Sequence, residues 1–268
     1  MAKLSEIFKK DYRNKKYPLY KLERKINFNE LMIFIAVNFV MILICFVVYP
    51  IFKDSFADVV EVTMPYLDMS LSSYYTTQVL MSWVLIGTIY AAVLGFQLVT
   101  NNFKNSSSNL LYTLNLSRNQ ILNAKLLRLV VNIAIFNAAS ALFSLIGLLA
   151  LGINEINFAN FFLSALMCLL VCLIIGLISF ALSALFTKKY SMFTSIIIPV
   201  FLLLLSNISL ISNKLVAFDY FTPLSLTMKN ITENGFSEIN FIIVGIWSVI
   251  ALGLLALGYI TFNKKDLV

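Results

Sequence analysis

The sequence predicts an all-α, polytopic integral membrane protein: six transmembrane helices preceded by an N-terminal interfacial elbow helix. Three observations carry that prediction. Hydrophobic residues fill 60% of the 268 positions and charged residues only 12%, where a soluble domain carries roughly 25% charged residues; mean hydropathy is +0.89. The apolar residues gather into six long runs, each sufficient at 1.5 Å per residue to cross a ~30 Å hydrocarbon core. The basic residues fall in alternate connections, as expected when positive charge is retained on the cytoplasmic side.

Residues 1–30 form a basic amphipathic segment. Lys3, Lys9, Lys10, Arg13, Lys15, Lys16, Lys21, Arg24 and Lys25 outnumber Glu6, Asp11, Glu23 and Glu30, a balance suited to an anionic inner membrane face. Leu4, Ile7, Phe8 and Tyr12 share one helical face, Pro18 interrupts, and Leu19, Leu22 and Ile26 form a second stripe. The pattern predicts an elbow lying in the interface. The first span, 31–52, ends near Tyr49 and Pro50, an aromatic anchor followed by a helix breaker. An acidic stretch with Asp54, Asp58, Glu61 and Asp68 leads to Tyr74 and Tyr75 and then to a second span, 77–99.

Between the second and third spans lies the polar segment 101–125. Ser117 followed by Gln120 is a capping-box pattern, in which hydroxyl and amide each satisfy an orphan backbone N–H. A helix should therefore restart at Ser117 and run into the third span, 126–151. Leu110, Leu111 and Leu114 recur at helical spacing just before it and predict a short interfacial helix. A tight turn at Asn154, Glu155 and Asn157 precedes the fourth span, 158–186. The loop 187–191, with Lys188, Lys189 and Tyr190, leads to the fifth span, 192–211, which holds Pro199 near its middle. Segment 214–238, with Phe218, Tyr220, Phe221 and Pro223, is too apolar for a free loop and too interrupted for a span, so it should dip into the outer leaflet. The sixth span, 239–262, is followed by the short tail 263–268.

With both termini cytoplasmic, seventeen of the twenty basic residues fall inside and only Lys53, Lys214 and Lys229 outside. An even number of spans is the arrangement that gives this split.

Several chemistries are disfavoured. The chain has no histidine, which removes histidine metal sites and histidine proton relays. Cys45, Cys168 and Cys172 all lie in apolar runs and read as small buried hydrophobes. The spans hold no acidic or basic residue away from their ends, unlike ion-coupled carriers. No G-x-x-x-x-G-K-[ST] phosphate loop occurs. The polar residues within spans include Asn38, Gln97, Asn132, Asn137 and Asn207. They can join helices at ~0.6–2 kcal/mol each, or Asn132 and Asn137 can line a substrate path.

The run Leu114, Asn115, Leu116, Ser117, Arg118, Ile121, Leu122, Ala124, Lys125 resembles the segment between the second and third spans of ABC-2-type transporter permeases, commonly L-P-x-S-R-x-x-[IL]-x-x-[GA]-K. Asn115 stands where that family usually has proline. The basic elbow, the six spans, the part-inserted segment before the last span and the Lys264 to Leu267 tail extend the likeness over almost the whole chain.

The resemblance implies the permease subunit of an ATP-driven transporter, itself neither an enzyme nor a holder of cofactors, with ATP and Mg on a separate ATP-binding subunit. It implies pairing with a second permease subunit, identical or paralogous, in a cell inner or plasma membrane, with lipid and no nucleic acid as the other contact. The ATPase-coupling contact would comprise Leu114, Asn115, Ser117, Arg118, Gln120 and Lys125, with Lys188, Lys189 and Tyr190 as a smaller second contact. Phe218, Tyr220, Phe221 and Pro223 would form an outer gate. The substrate would be an amphipathic or hydrophobic peptide, antibiotic or lipid, exported or cleared from the membrane. The competing expectation is a non-transporting immunity or sensor protein that binds a partner within the bilayer.

Overall fold

A computed structural model describes residues 28–63, 71–104, 117–151, 157–185 and 238–264, together with 197, 201 and 202. Among the described residues every regular element is helical. In chain order they are α1 (Phe28–Thr63), the single turn α2 (Leu71–Tyr74), a π-helical segment (Tyr75–Leu80), α3 (Met81–Lys104), α4 (Arg118–Leu151), α5 (Phe158–Leu185) and α6 (Glu238–Lys264). Five stretches are long and apolar enough to cross a membrane: Phe28–Ile51, Gln78–Thr100, Arg118–Leu151, Phe158–Leu185 and Ile242–Lys264. The expected elbow and outer segment lie outside the described residues, as does the expected fifth span apart from residues 197, 201 and 202.

The first span departs from expectation at Pro50. The helix does not stop there but carries the proline inside and continues to Thr63, so Asp54, Asp58 and Glu61 belong to its final turns. A proline removes one hydrogen bond, that to the carbonyl four residues back, and helices in lipid tolerate this where neighbours supply polar contacts. For Pro50 that carbonyl is Phe46's; at the adjacent position the Tyr74 hydroxyl donates to the Cys45 carbonyl at 2.8 Å, and its ring packs on that of Tyr49 with centroids 4.8 Å apart. Tyr49 is accordingly buried in the bundle.

α3 and α5 form the centre, with the densest contact of any helix pair. Small residues make this possible. A Cβ on Gly95 would lie 2.7 Å from the Gly176 carbonyl oxygen and 2.9 Å from the Phe180 nitrogen, so the two backbones approach as closely as the missing side chain allows. The Ser179 hydroxyl then donates to the Ala92 carbonyl across the same contact at 2.6 Å. α6 packs on α5, and α4 is held between α1, α3 and α5. Trp83, Tyr75, Tyr90, Phe136, Phe161 and Phe180 are the largest uncharged side chains fully buried among the described residues.

Pair contacts fix the directions. Leu98 meets Lys125 and Trp83 meets Asn137, so α3 and α4 are antiparallel. Cys172 lies against Gly87, and Gly176 against both Gly95 and Ala91, so α3 and α5 are parallel. Tyr259 meets Asn123 while Gly258 meets Ala181 and Ala184, which sets α6 parallel to α5. The start of α4 and the ends of α3, α5 and α6 therefore share one end of the bundle. That end is called the corner end below.

Candidate functional site: the helix corner and the polar face of α4

The corner begins with the cap expected from the sequence. The Ser117 backbone N–H donates to Gln120 Oε1 at 3.0 Å, and the Gln120 N–H donates to Ser117 Oγ at 3.3 Å. These are the two reciprocal bonds of a capping box. The Ile121 N–H to Ser117 carbonyl bond, 3.2 Å, closes the first turn. Ser117, Asn119 and Gln120 are exposed and Arg118 is half-buried, while Ile121 and Leu122 are buried beneath them. The first turn of α4 thus presents polar side chains outward on an anchored apolar base.

This turn is also joined to the last turns of α6. Arg118 donates from its guanidinium to the Asn263 carbonyl at 2.9 Å, and Asn263 Nδ2 donates to Asn119 Oδ1 at 2.8 Å. One turn deeper the Tyr259 hydroxyl donates to Asn123 Oδ1 at 2.6 Å. A guanidinium at a helix C-terminus meets both orphan carbonyls and the negative end of the helix dipole. Nothing in the local sequence signals these contacts, because the partners lie 136 to 145 positions apart.

Lys125 behaves differently from Arg118. It is buried, and its ammonium donates to the Leu98 carbonyl near the end of α3. It ties α4 to α3 inside the bundle. Arg128 is also buried, ten residues into α4 and so about 15 Å from its start. What the sequence did not signal is their enclosure: α4, a helix apolar enough to span, carries two buried basic groups near its corner end.

Lys125 and Arg128 open a polar stripe that continues through Asn132, Asn137, Ser140 and Ser144, all buried. Their spacing of three to five residues keeps them on one face. From Lys125 to Ser144 the stripe runs about 28 Å, nearly the thickness of a hydrocarbon core. In its middle the groups are paired directly. Trp83 Nε1 donates to Asn137 Oδ1 at 3.0 Å, Asn137 Nδ2 donates to the Ile133 carbonyl at 2.9 Å, and Asn38 Nδ2 donates to Ser140 Oγ at 2.6 Å. Asn132 is fully enclosed, and neither polar atom of its amide has a hydrogen-bond partner.

Leu114, Asn115, Lys188, Lys189, Tyr190, Phe218, Tyr220, Phe221 and Pro223 lie outside the described residues. Cys45, Cys168 and Cys172 are free thiols, the latter two buried. Among the described residues no cluster of acidic or cysteine side chains is arranged to hold a metal ion.

A family model described as "ABC-2 family transporter protein" matches residues 30–267. No curated protein matches the chain.

Proposed function

The chain belongs to the ABC-2 transporter family, and from that premise we propose that it is the membrane-spanning permease of an ATP-driven exporter, worked from its corner end by a separate ATP-binding subunit. The supporting observation is the construction of the corner. An exposed, doubly capped helix start is bonded on one side to the end of α6 and, two turns later, through Lys125 to the end of α3. A push on Ser117, Arg118 and Gln120 would therefore be delivered to three helices at once.

ATP and Mg would be held entirely on the partner. Leu114 and Asn115 would extend the contact, and Lys188, Lys189 and Tyr190 would form a second, smaller one. Lys125 would serve the coupling from inside, by linking α4 to α3. Both termini would be cytoplasmic, which sets the corner end inside. α5 ends at the corner end and α6 begins at the far end, an arrangement that suits one further crossing between them. A span at 192–211 would supply that crossing and bring the total to six, with Phe218, Tyr220, Phe221 and Pro223 forming an outer gate. The exposed apolar faces of α1 and α6 suit lipid and a second permease subunit. An amphipathic or hydrophobic peptide, antibiotic or lipid fits so apolar a chain as substrate. Asn132 and Asn137 lie within one subunit's bundle, so any part they take in transport would be played there.

Site-specific photo-crosslinking tests the reading. A benzophenone side chain introduced at Gln120 should capture an ATP-binding subunit in native membranes, while the same group at Leu149, exposed at the opposite end of α4, should not. Capture at both positions or at neither would count against the corner as the coupling element.

A further inference from the structure

Among the described residues most of the unpartnered buried polar atoms gather along one seam. Asn132 Oδ1 and Nδ2, Tyr90 OH, Gln97 Oε1, Asn38 Oδ1, Tyr75 OH and Ser144 Oγ lack a hydrogen-bond partner and belong to α4 or to the segments packed on it, while Trp247 Nε1, also unpartnered, lies apart on α6. Leaving one such group dry costs about 1–3 kcal/mol, so seven along one seam constitute a large unmet demand. Six of them form two groups, and the seventh, Asn38 Oδ1, lies between these beside the Asn38–Ser140 bond. At the corner end Tyr90 and Asn132 lie together within electrostatic reach of Arg128 and Glu30, and Gln97 lies beside Glu30. Toward the far end Tyr75, which heads the π-helical segment, converges with Ser144 and Ser164. Between the groups stand the direct Trp83–Asn137 and Asn38–Ser140 hydrogen bonds.

We propose that the subunit binds internal water at two nodes, one around Tyr90, Asn132 and Gln97 and one around Tyr75 and Ser144, separated by the Trp83–Asn137 pair. The chemistry of the atoms selects the ligand. Amide N–H donors, amide oxygen acceptors and hydroxyl groups are mixed at close quarters, and water, which both donates and accepts, satisfies such a mixture. Neither a metal ion nor an anion would. Buried waters typically make about three hydrogen bonds to otherwise unsatisfied groups, which each node can supply. Glu30, half-buried in the first turn of α1, places the inner node's entrance at the corner end. From the start of α4 to Asn132 the penetration is about 21 Å. The Trp83–Asn137 pair acts as the dry seal beyond it. The consequence is mechanical: at each node α4 is bonded through exchangeable water and can adjust locally, while Lys125–Leu98 and Trp83–Asn137 remain its direct ties to α3.

Hydroxyl radicals generated from bound water by X-ray pulses test this on the full-length protein in lipid nanodiscs. Tyr90 and Tyr75, each almost fully enclosed, should be oxidised several-fold faster than Trp83, although indole is the more reactive ring, because Trp83 sits in the seal. Protection of Tyr90 and Tyr75 equal to that of Trp83 would overturn the proposal. Asn132→Leu should slow oxidation of Tyr90 several-fold and leave Tyr75 unchanged. Should that variant fail to assemble, Ser144→Ala should slow Tyr75 alone. Equal slowing at both tyrosines by either substitution would show one connected space and overturn the two-node arrangement.

Discussion

Ser117 and Gln120 show what a single pair of side chains contributes at the corner. Their reciprocal bonds satisfy two donors that the first turn of α4 would otherwise leave open, and losing such a cap costs about 0.5–2 kcal/mol. Ser117→Ala should lower the unfolding temperature of the solubilised protein modestly, and Ser117→Asp, which can still cap, should restore it. The Trp83–Asn137 bond is a stricter case because both partners are enclosed. Asn137→Leu strands a buried indole N–H and should destabilise by about 1–3 kcal/mol. The double variant Trp83→Phe, Asn137→Leu removes donor and acceptor together and should recover part of that loss in a thermal-unfolding cycle. Full additivity would mean that the two side chains do not interact. The capping box was legible in sequence because its partners are three positions apart. The Trp83–Asn137 pair was not, because its partners lie 54 positions apart on different helices. The burial of Lys125 and Arg128 was not legible for the same reason: counting charge by loop does not reveal which basic side chains fold inward.

The helices divide into a close-packed centre and a lipid-ready periphery. α3 and α5 are the most enclosed of the spanning helices and α1 and α6 the least. Gly95 lies in the central contact, where even a methyl group would meet backbone atoms below 3 Å. Gly95→Ala should therefore force the helices apart and cost about 1–3 kcal/mol, read as a loss of thermal stability and of monodisperse protein on size exclusion. Gly245, with nothing within 4 Å of the position a Cβ would take, should accept alanine without loss of stability. The helices themselves were visible in hydropathy, which depends on composition alone. Continuation of α1 through Pro50 was not, since the Tyr74 hydroxyl beside the proline site comes from a segment 29 positions away.

At the scale of the whole molecule, the corner end gathers the start of α4 and the ends of α3, α5 and α6, and it is the end where Arg118 and Lys264 lie. Single cysteines at Asn119 and Asn263, in a background where Cys45, Cys168 and Cys172 are alanine, should be modified by a membrane-impermeant maleimide only from the cytoplasmic side, and one at Asn157 only from the outside. Modification of positions 119 and 157 from the same side would refute the orientation. The even-span reading came from charge alone; among the described residues α5 and α6 run parallel. The claim that depends on all these parts is that a separate ATPase drives the bundle through the corner. Its most direct test is purification of the tagged protein from its native membranes in mild detergent, wild type beside Arg118→Glu. Lys125 is left intact because its burial would confuse lost coupling with misfolding. An ATP-binding subunit recovered with wild type and lost with the variant, while the variant remains folded, is the expected result. Absence of an ATP-binding subunit from the wild-type preparation would contradict the account at its energy source and favour a membrane protein that binds a partner without transport.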